Sequence, residues 1–365
     1  MRRLAAGVLA GILLVGCSPA PAAENSTPVT GSSTPPVTPE PSGPATGQAP
    51  APDETAPDET APEEPAPDET APNAAARLAA LIGDPGVSGE PGKPAHVVLL
   101  GDSFASGEGA GSYEPVNGVA ESLCHRSSEA LVSAGEPDPG NRLVVHNFAC
   151  SHARISALET AQQMEGHRPG GIPAQLEQMA GVRPDLVLLY IGGNDLGFAD
   201  LLQACVAAAD PCGEDSGLAK STEEKLLQLG PALAEAYRTV GTAARSPVLV
   251  LPYPRMFEAR AADCGRLTAA EQAFGLKVTD NLNAVLEQSV QAAGLPGVRY
   301  VDALEDSFAG RGACSSDPLV KTARIGPLLG AVTSVSASQE ILHPTSDGYR
   351  VLTEDLIQWL EEHPA

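Results

Sequence analysis

A serine hydroxyl is a weak nucleophile at neutral pH. A chain that uses one in catalysis must also carry a base to take its proton and hydrogen-bond donors for the oxyanion formed on attack. The stretch Val97-Val98-Leu99-Leu100-Gly101-Asp102-Ser103-Phe104-Ala105-Ser106-Gly107-Glu108-Gly109 offers such a serine: an apolar run of β character breaks into a Gly- and Ser-rich turn headed by Ser103. Asn147 to Ser151, Gly192-Gly193-Asn194-Asp195 and His343-Pro344 could supply the remaining groups. Other chemistries fit less well. The seven histidines are scattered and no C-x-x-C or H-E-x-x-H spacing occurs, so no metal or cofactor is expected. The Gly-rich run after Ser103 fails as a G-x-G-x-x-G frame because Ser112 stands where the last glycine should be, and no G-K-[ST] occurs.

These residues need a scaffold that brings them together. Short, mainly apolar runs at His96 to Leu100, Leu143 to Phe148, Leu186 to Ile191, Val248 to Leu251 and Val298 to Val301 read as parallel strands covered on both faces. Helical stretches lie between and after them: Pro173 to Met179, Ser221 to Ala244, Thr268 to Ala293, and Thr345 to about Glu361 with Ser346 as N-cap. The alternation predicts an α/β protein, a three-layer α/β/α sandwich on a five-stranded parallel, flavodoxin-like sheet. In such sheets ligands bind beyond the carboxyl ends of the strands. Ser103 follows the first strand, Asn147 to Ser151 closes the second and Gly192 to Asp195 the third, so these turns open on one edge. His343, in a Pro-flanked turn before the final helix, can fold back to it. Asp102 and Asp195 read as turn-fixing side chains, His96, His125, His146, His167 and His363 as strand-edge or surface residues, and Trp359 as a core anchor.

Taken together, Gly101-Asp102-Ser103-Phe104, Asn147 to Ala153, Gly192-Gly193-Asn194-Asp195 and His343-Pro344 resemble the four blocks of the SGNH (GDSL-like) hydrolase superfamily. The longer Gly101 to Gly109 run, six cysteines and Asp347-Gly348-Tyr349 resemble its secreted actinobacterial lipase and esterase branch. No G-x-S-x-G surrounds any serine, which separates the chain from α/β-hydrolases with a nucleophile elbow. The resemblance implies a serine ester hydrolase in which Ser103 is the nucleophile, His343 the base, and Ser103 N–H, the residue-152 N–H and the Asn194 side chain the oxyanion hole. It also places an acid three residues before the histidine, where this chain has Glu340 in place of Asp; some relatives use a backbone carbonyl instead. His152 stands where the branch usually has glycine, a position that often demands positive φ.

Arg2-Arg3 followed by the apolar run Leu4 to Val15 has the form of a secretory signal, too short to span a bilayer. It ends in Leu14-Val15-Gly16-Cys17, which looks like a bacterial lipobox, with Cys17 the lipid-modified residue. Residues 1–17 are therefore expected to be a lipoprotein signal, 18–90 a disordered Pro/Ala/Thr/acidic tether with a five-residue repeat, and 91–365 the hydrolase domain. The net charge is −24, with ten acids and no Lys or Arg between Ser18 and Asn73, and no basic patch appears, so nucleic acid is excluded as a partner. The six remaining cysteines sit in a domain expected to be exported, where disulfides persist. Fifteen pairings are open; the simplest joins neighbours, Cys124 with Cys150, Cys205 with Cys212, and Cys264 with Cys314. The expected protein is a monomer, exported and lipid-anchored on the outer face of the membrane or in the wall, acting on a small-molecule or lipid carboxylic ester. Sugar or wall O-acetyl ester cleavage is the alternative, and a wall-associated binding lipoprotein with a decayed site a further one.

Overall fold

The chain divides into two units, Met1–Ala66 and Pro67–Ala365. A computed structural model describes residues 74–82, 94–119, 122–133, 142–164, 171–198, 201, 217–258, 263, 268–322 and 339–364. All belong to the second unit. Cys17, the repeat tether, His167, Cys205, Cys212 and Cys264 lie outside the described residues.

Five parallel strands, β1 (Ala95–Gly101), β2 (Leu143–Asn147), β3 (Leu186–Tyr190), β4 (Val248–Val250) and β5 (Val298–Tyr300), form one sheet in the order β2-β1-β3-β4-β5. Every residue from Val97 to Leu100 and from Leu186 to Tyr190 is buried, as central strands with covered faces require, whereas edge strand β2 is only partly buried along its length. The helices are α1 (Ala74–Ile82), α2 (Ser103–Ser106), α3 (Gln175–Met179), α4 (Gly193–Leu196), α5 (Gly217–Ala244), α6 (Ala269–Ala293) and α7 (Ser346–Glu362). With this strand order, the right-handed rule for parallel crossovers puts the β2-to-β3, β3-to-β4 and β4-to-β5 connections over one face of the sheet. The packing agrees: α5 lies against α6 and touches α3, while α1 and α7 pack together. The expected three-layer α/β fold with strand order 2-1-3-4-5 is what forms.

Two local expectations need correcting. Ala74–Ile82 falls within the span expected to be tether, yet it is a helix with Leu78 and Ile82 in the main core. Its Ala-rich composition favours helix, and the i,i+4 pair of large apolar residues gives it a face to bury. Arg77 fastens it to α7 through Glu354 (2.6 Å) and Glu361 (2.9 Å). The N-cap of α7 is Thr345 rather than Ser346: Thr345 is extended (φ −72°, ψ 172°) and its side chain accepts from Gly348 N at 3.1 Å, while Ser346 is already helical. Of the cysteine pairs, Cys124–Cys150 is formed as expected. Cys314 is also disulfide-bonded.

Candidate active site

Ser103 is placed by the way β1 ends. At Gly101 the backbone runs so close to β3, with φ +124°, that a Cβ would stand 1.7 Å from the Tyr190 carbonyl oxygen, so only glycine fits. Asp102 then hydrogen-bonds back to Tyr190 O (2.8 Å) and caps α2, its Oδ1 accepting from Phe104 N at 3.1 Å. This is the turn-fixing role expected of it. Gln175 of α3 grips Gly101 at both ends, accepting from its N–H (2.7 Å) and donating to its carbonyl (2.8 Å). Ser103 is thereby held at the carboxyl edge of the sheet, 9% exposed.

His343 reaches the same point from the far end of the chain. Its Nε2 lies 2.7 Å from Ser103 Oγ. Residues 319–321 run beside its turn: Leu342 N donates to Lys321 O (2.8 Å), Lys321 N to His343 O (2.7 Å), and Thr345 N to Leu319 O (2.8 Å). Gly109 supports the ring's root, since a Cβ there would meet Pro344 O at 2.5 Å and His343 Cβ at 3.0 Å. Burial lowers the His343 pKa below its usual value, opposed by the Glu108 charge and the backbone carbonyls of Ile341 and Gln339. The neutral imidazole that general-base work requires is thus favoured.

Glu340 is not where the resemblance would put a hydrogen-bonded acid. Its Oε1 accepts from Tyr113 Oη at 2.7 Å, and it meets His343 through its backbone carbonyl, which accepts from His343 N at 3.0 Å. Among the described residues, the buried His343 Nδ1 makes no hydrogen bond of ordinary geometry. The ring faces the Gln339 and Ile341 carbonyls rather than a carboxylate.

Asn194 and His152 follow two other strand ends. Asn194, in α4 after β3, gives one amide proton to Ala153 O at 3.0 Å, which fixes the plane of the amide and leaves its second proton for a ligand. Asp195 accepts from Ile155 N at 3.0 Å, again fixing a turn. His152 adopts φ +62°, the left-handed conformation expected of a glycine position, and its exposed ring meets Gln339 Nε2 at 2.7 Å. Its loop is tied down by the Cys124–Cys150 disulfide, by Cys150 N to Gly101 O (3.1 Å), and by Arg126, which donates to Ala149 O (2.7 Å) and Phe148 O (2.9 Å).

Sequence reasoning missed several supporting residues. Tyr253, just past β4, accepts from Gly193 N (2.9 Å) and donates a short hydrogen bond to Asp102 Oδ2, joining the Ser103 turn to the Asn194 turn. Burial raises the Asp102 pKa to about 7, with the Tyr253 and Phe104 hydrogen bonds pulling the other way. His125, expected at the surface, is 4% exposed and pairs with buried Glu108 at 3.1 Å; Tyr113 stacks on its ring at 4.3 Å. The position of Tyr253 after a strand end was the available signal for it. Nothing in the sequence marked Glu108 as buried. Among the described residues, no three His, Cys, Asp or Glu side chains are grouped to ligate a metal ion.

Residues 99–351 match the model of the GDSL-like Lipase/Acylhydrolase family. A lipase of Streptomyces rimosus is 29% identical over 255 residues, covering 69% of this chain and 81% of the relative. Lipase 1 of Streptomyces coelicolor is 30% identical over 226 residues, 60% of this chain and 74% of that protein. The crystal structure of phospholipase A1 from Streptomyces albidoflavus NA297 superposes with a TM-score of 0.53 at 25% identity, covering 74% of this chain and all of that one. The chain belongs to the GDSL-like lipase/acylhydrolase family of ester hydrolases, in the actinobacterial lipase branch of the SGNH superfamily.

Proposed function

We propose that the protein cleaves carboxylic esters through an acyl-enzyme on Ser103. The observation that carries this reading is the 2.7 Å approach of His343 Nε2 to Ser103 Oγ at the carboxyl end of β1. His343 takes the Ser103 proton as Oγ attacks the ester carbonyl. The oxyanion is held by the free Asn194 amide proton and the N–H groups of Ser103 and His152. His343 then returns the proton to the leaving alcohol, and a water activated the same way releases the acid. Glu340 enters through Tyr113 and through its own carbonyl, holding the histidine turn in place. Each chain carries a whole site, so a monomer suffices.

The relatives named as lipases and a phospholipase A1 support acyl glycerides or phospholipid esters as substrates. The signal-like segment ending in Cys17 supports export and lipid anchoring, with residues 18–73 as the tether. A fluorophosphonate should label Ser103 in the wild type and leave Ser103→Ala unlabelled; absence of labelling in the folded wild type would sink the reading. Because the His343 pKa is lowered, the labelling rate should rise with pH through a limb below the ordinary histidine value, about 6.5. A turnover series on aryl esters from acetyl to palmitoyl, with an acetylated glycan alongside, decides the substrate. Preference for the glycan would move the assignment to sugar or wall O-acetyl esters.

A further inference from the structure

Acyl transfer by this pair creates a positive imidazolium, and the usual means of stabilising it, a carboxylate bonded to Nδ1, is missing. Among the described residues Nδ1 faces only the Gln339 and Ile341 carbonyls, with no hydrogen bond of ordinary geometry, and the Glu340 carboxylate is taken by Tyr113. Beneath the same turn lies a carboxylate with no assigned task. Glu108 is 1% exposed, a costly place for a charge unless its oxygens are satisfied. They are: Oε1 accepts from His125 Nδ1 at 3.1 Å and Oε2 accepts a short hydrogen bond from Ser151 Oγ. Its backbone is fixed to the catalytic pair, with Glu108 N donating to Ser103 O (3.1 Å), Tyr349 Oη donating to Glu108 O (3.0 Å), and the next residue, Gly109, packed under the His343 Cβ.

We propose that the buried Glu108 carboxylate is the counter-charge of the His343 imidazolium, acting across the interior without a hydrogen bond to the ring. The proposal rests on the acyl-transfer reading above and makes Glu108 a positioning residue that works through His343. Two arguments support it. A charge held in the interior is little screened by salt or water, so its field reaches a neighbour several ångströms away. The group also stays ionised: burial pushes its pKa up, but His343 and the His125 and Ser151 hydrogen bonds outweigh this and hold it below the ordinary glutamate value. The other titratable groups facing Glu108 are His125 and Tyr113 from the loop after α2, Tyr349 from α7, and Asp102 at the head of α2. His152 faces His343 from the loop after β2.

The test is the pH dependence of fluorophosphonate labelling at Ser103 in the full chain, for wild type, Glu108→Gln and Glu108→Asp. Gln keeps the shape and can bond both partners but carries no charge. Removing a negative charge lowers the His343 pKa, so in Glu108→Gln the acid limb should move to lower pH by on the order of one unit. The plateau rate should fall about tenfold or more, because a shift of that size weakens the imidazolium by a similar factor. Glu108→Asp should restore the limb. A lower plateau with an unmoved limb would make Glu108 a structural prop and overturn the proposal. So would a limb that moves with Glu340→Gln or Asp102→Asn but not with Glu108→Gln. If Glu108→Gln does not fold, carbon-13 NMR of glutamate-labelled wild type gives the answer. The Glu108 carboxyl should be ionised throughout the active range and show an inflection that disappears in His343→Ala; a protonated carboxyl, or no such inflection, overturns the idea. Failure of the wild type to label at all would instead remove the acyl-transfer reading itself.

Discussion

Asp102 sits one residue before Ser103, 1% exposed, and its charge is tolerated only because Tyr253 and Phe104 donate to it. Its folded pKa, raised to about 7 from the ordinary 3.8, makes it a source of pH dependence in stability. The folded state binds the proton more tightly than the unfolded chain, so the contribution is fully present below about pH 4 and is lost as pH rises through about 7. Asp102→Asn should flatten this slope in urea titrations run across that window, and an unchanged slope would contradict the assignment. Tyr253→Phe should destabilise by about 1–3 kcal/mol, since it removes a donor from a buried carboxylate and strands the Gly193 N–H. It should also slow turnover, because the Ser103 and Asn194 turns then lose their common tie. At this scale the sequence was readable where a residue stands at the end of a strand or in a turn with a specific chemistry: Ser103 Oγ and His343 Nε2 meet at 2.7 Å, and Asn194 lies in the turn after β3. Glu108 and Tyr253 were not readable. A glutamate in a glycine run looks the same whether it is solvated or buried, and only tertiary packing makes it the second.

Among the elements, the loop after β2 depends most on constraints from outside itself. It carries His152 at positive φ, a conformation that costs a non-glycine residue energy and persists only when the surroundings impose it. The Cys124–Cys150 disulfide and Arg126 impose it here. Replacing both cysteines by serine should lower stability by roughly 3 kcal/mol, from a closed loop spanning 26 residues. The same change should reduce turnover of the folded fraction, separable by comparing active-site titration with melting. His152→Gly should relieve the backbone cost and add about 0.5–1 kcal/mol of stability, measurable as a raised melting temperature. Strands were legible to within a residue or two because short, mainly apolar runs flanked by Gly, Pro and polar residues have one plausible structure in a covered parallel sheet. The α7 cap was misplaced by one residue because Thr345 and Ser346 both suit the position, and the choice rests on backbone angles that composition does not encode.

For the molecule as a whole, α1 changes where the folded unit begins. Leu78 is fully buried, while the Arg77 ion pairs to α7 are substantially exposed. Exposed pairs contribute about 0–1 kcal/mol, whereas truncating a buried leucine costs about 2–5 kcal/mol. Leu78→Ala should therefore lower the melting temperature far more than Arg77→Ala. A chain starting at residue 74 should melt as the full chain does, and one starting at residue 94 well below it. The helix escaped sequence analysis because it follows a long acidic, Pro-rich stretch and its short Ala-rich run has few large apolar residues. The overall architecture was legible for the opposite reason: alternating apolar and helical segments over the remaining chain leave few topologies.

Tyr253 also bears on how the enzyme becomes active during folding. Its hydroxyl joins residues that follow β1, β3 and β4, three neighbouring strands whose registers are Leu99 with Leu188 and Leu188 with Leu249. A slip of one residue between any two of these strands turns side chains to the wrong face, and the hydroxyl then misses one or both partners. Appearance of a reactive Ser103 in a refolding experiment therefore reports more than compaction or helix content: it times the moment at which the central strands have locked into register.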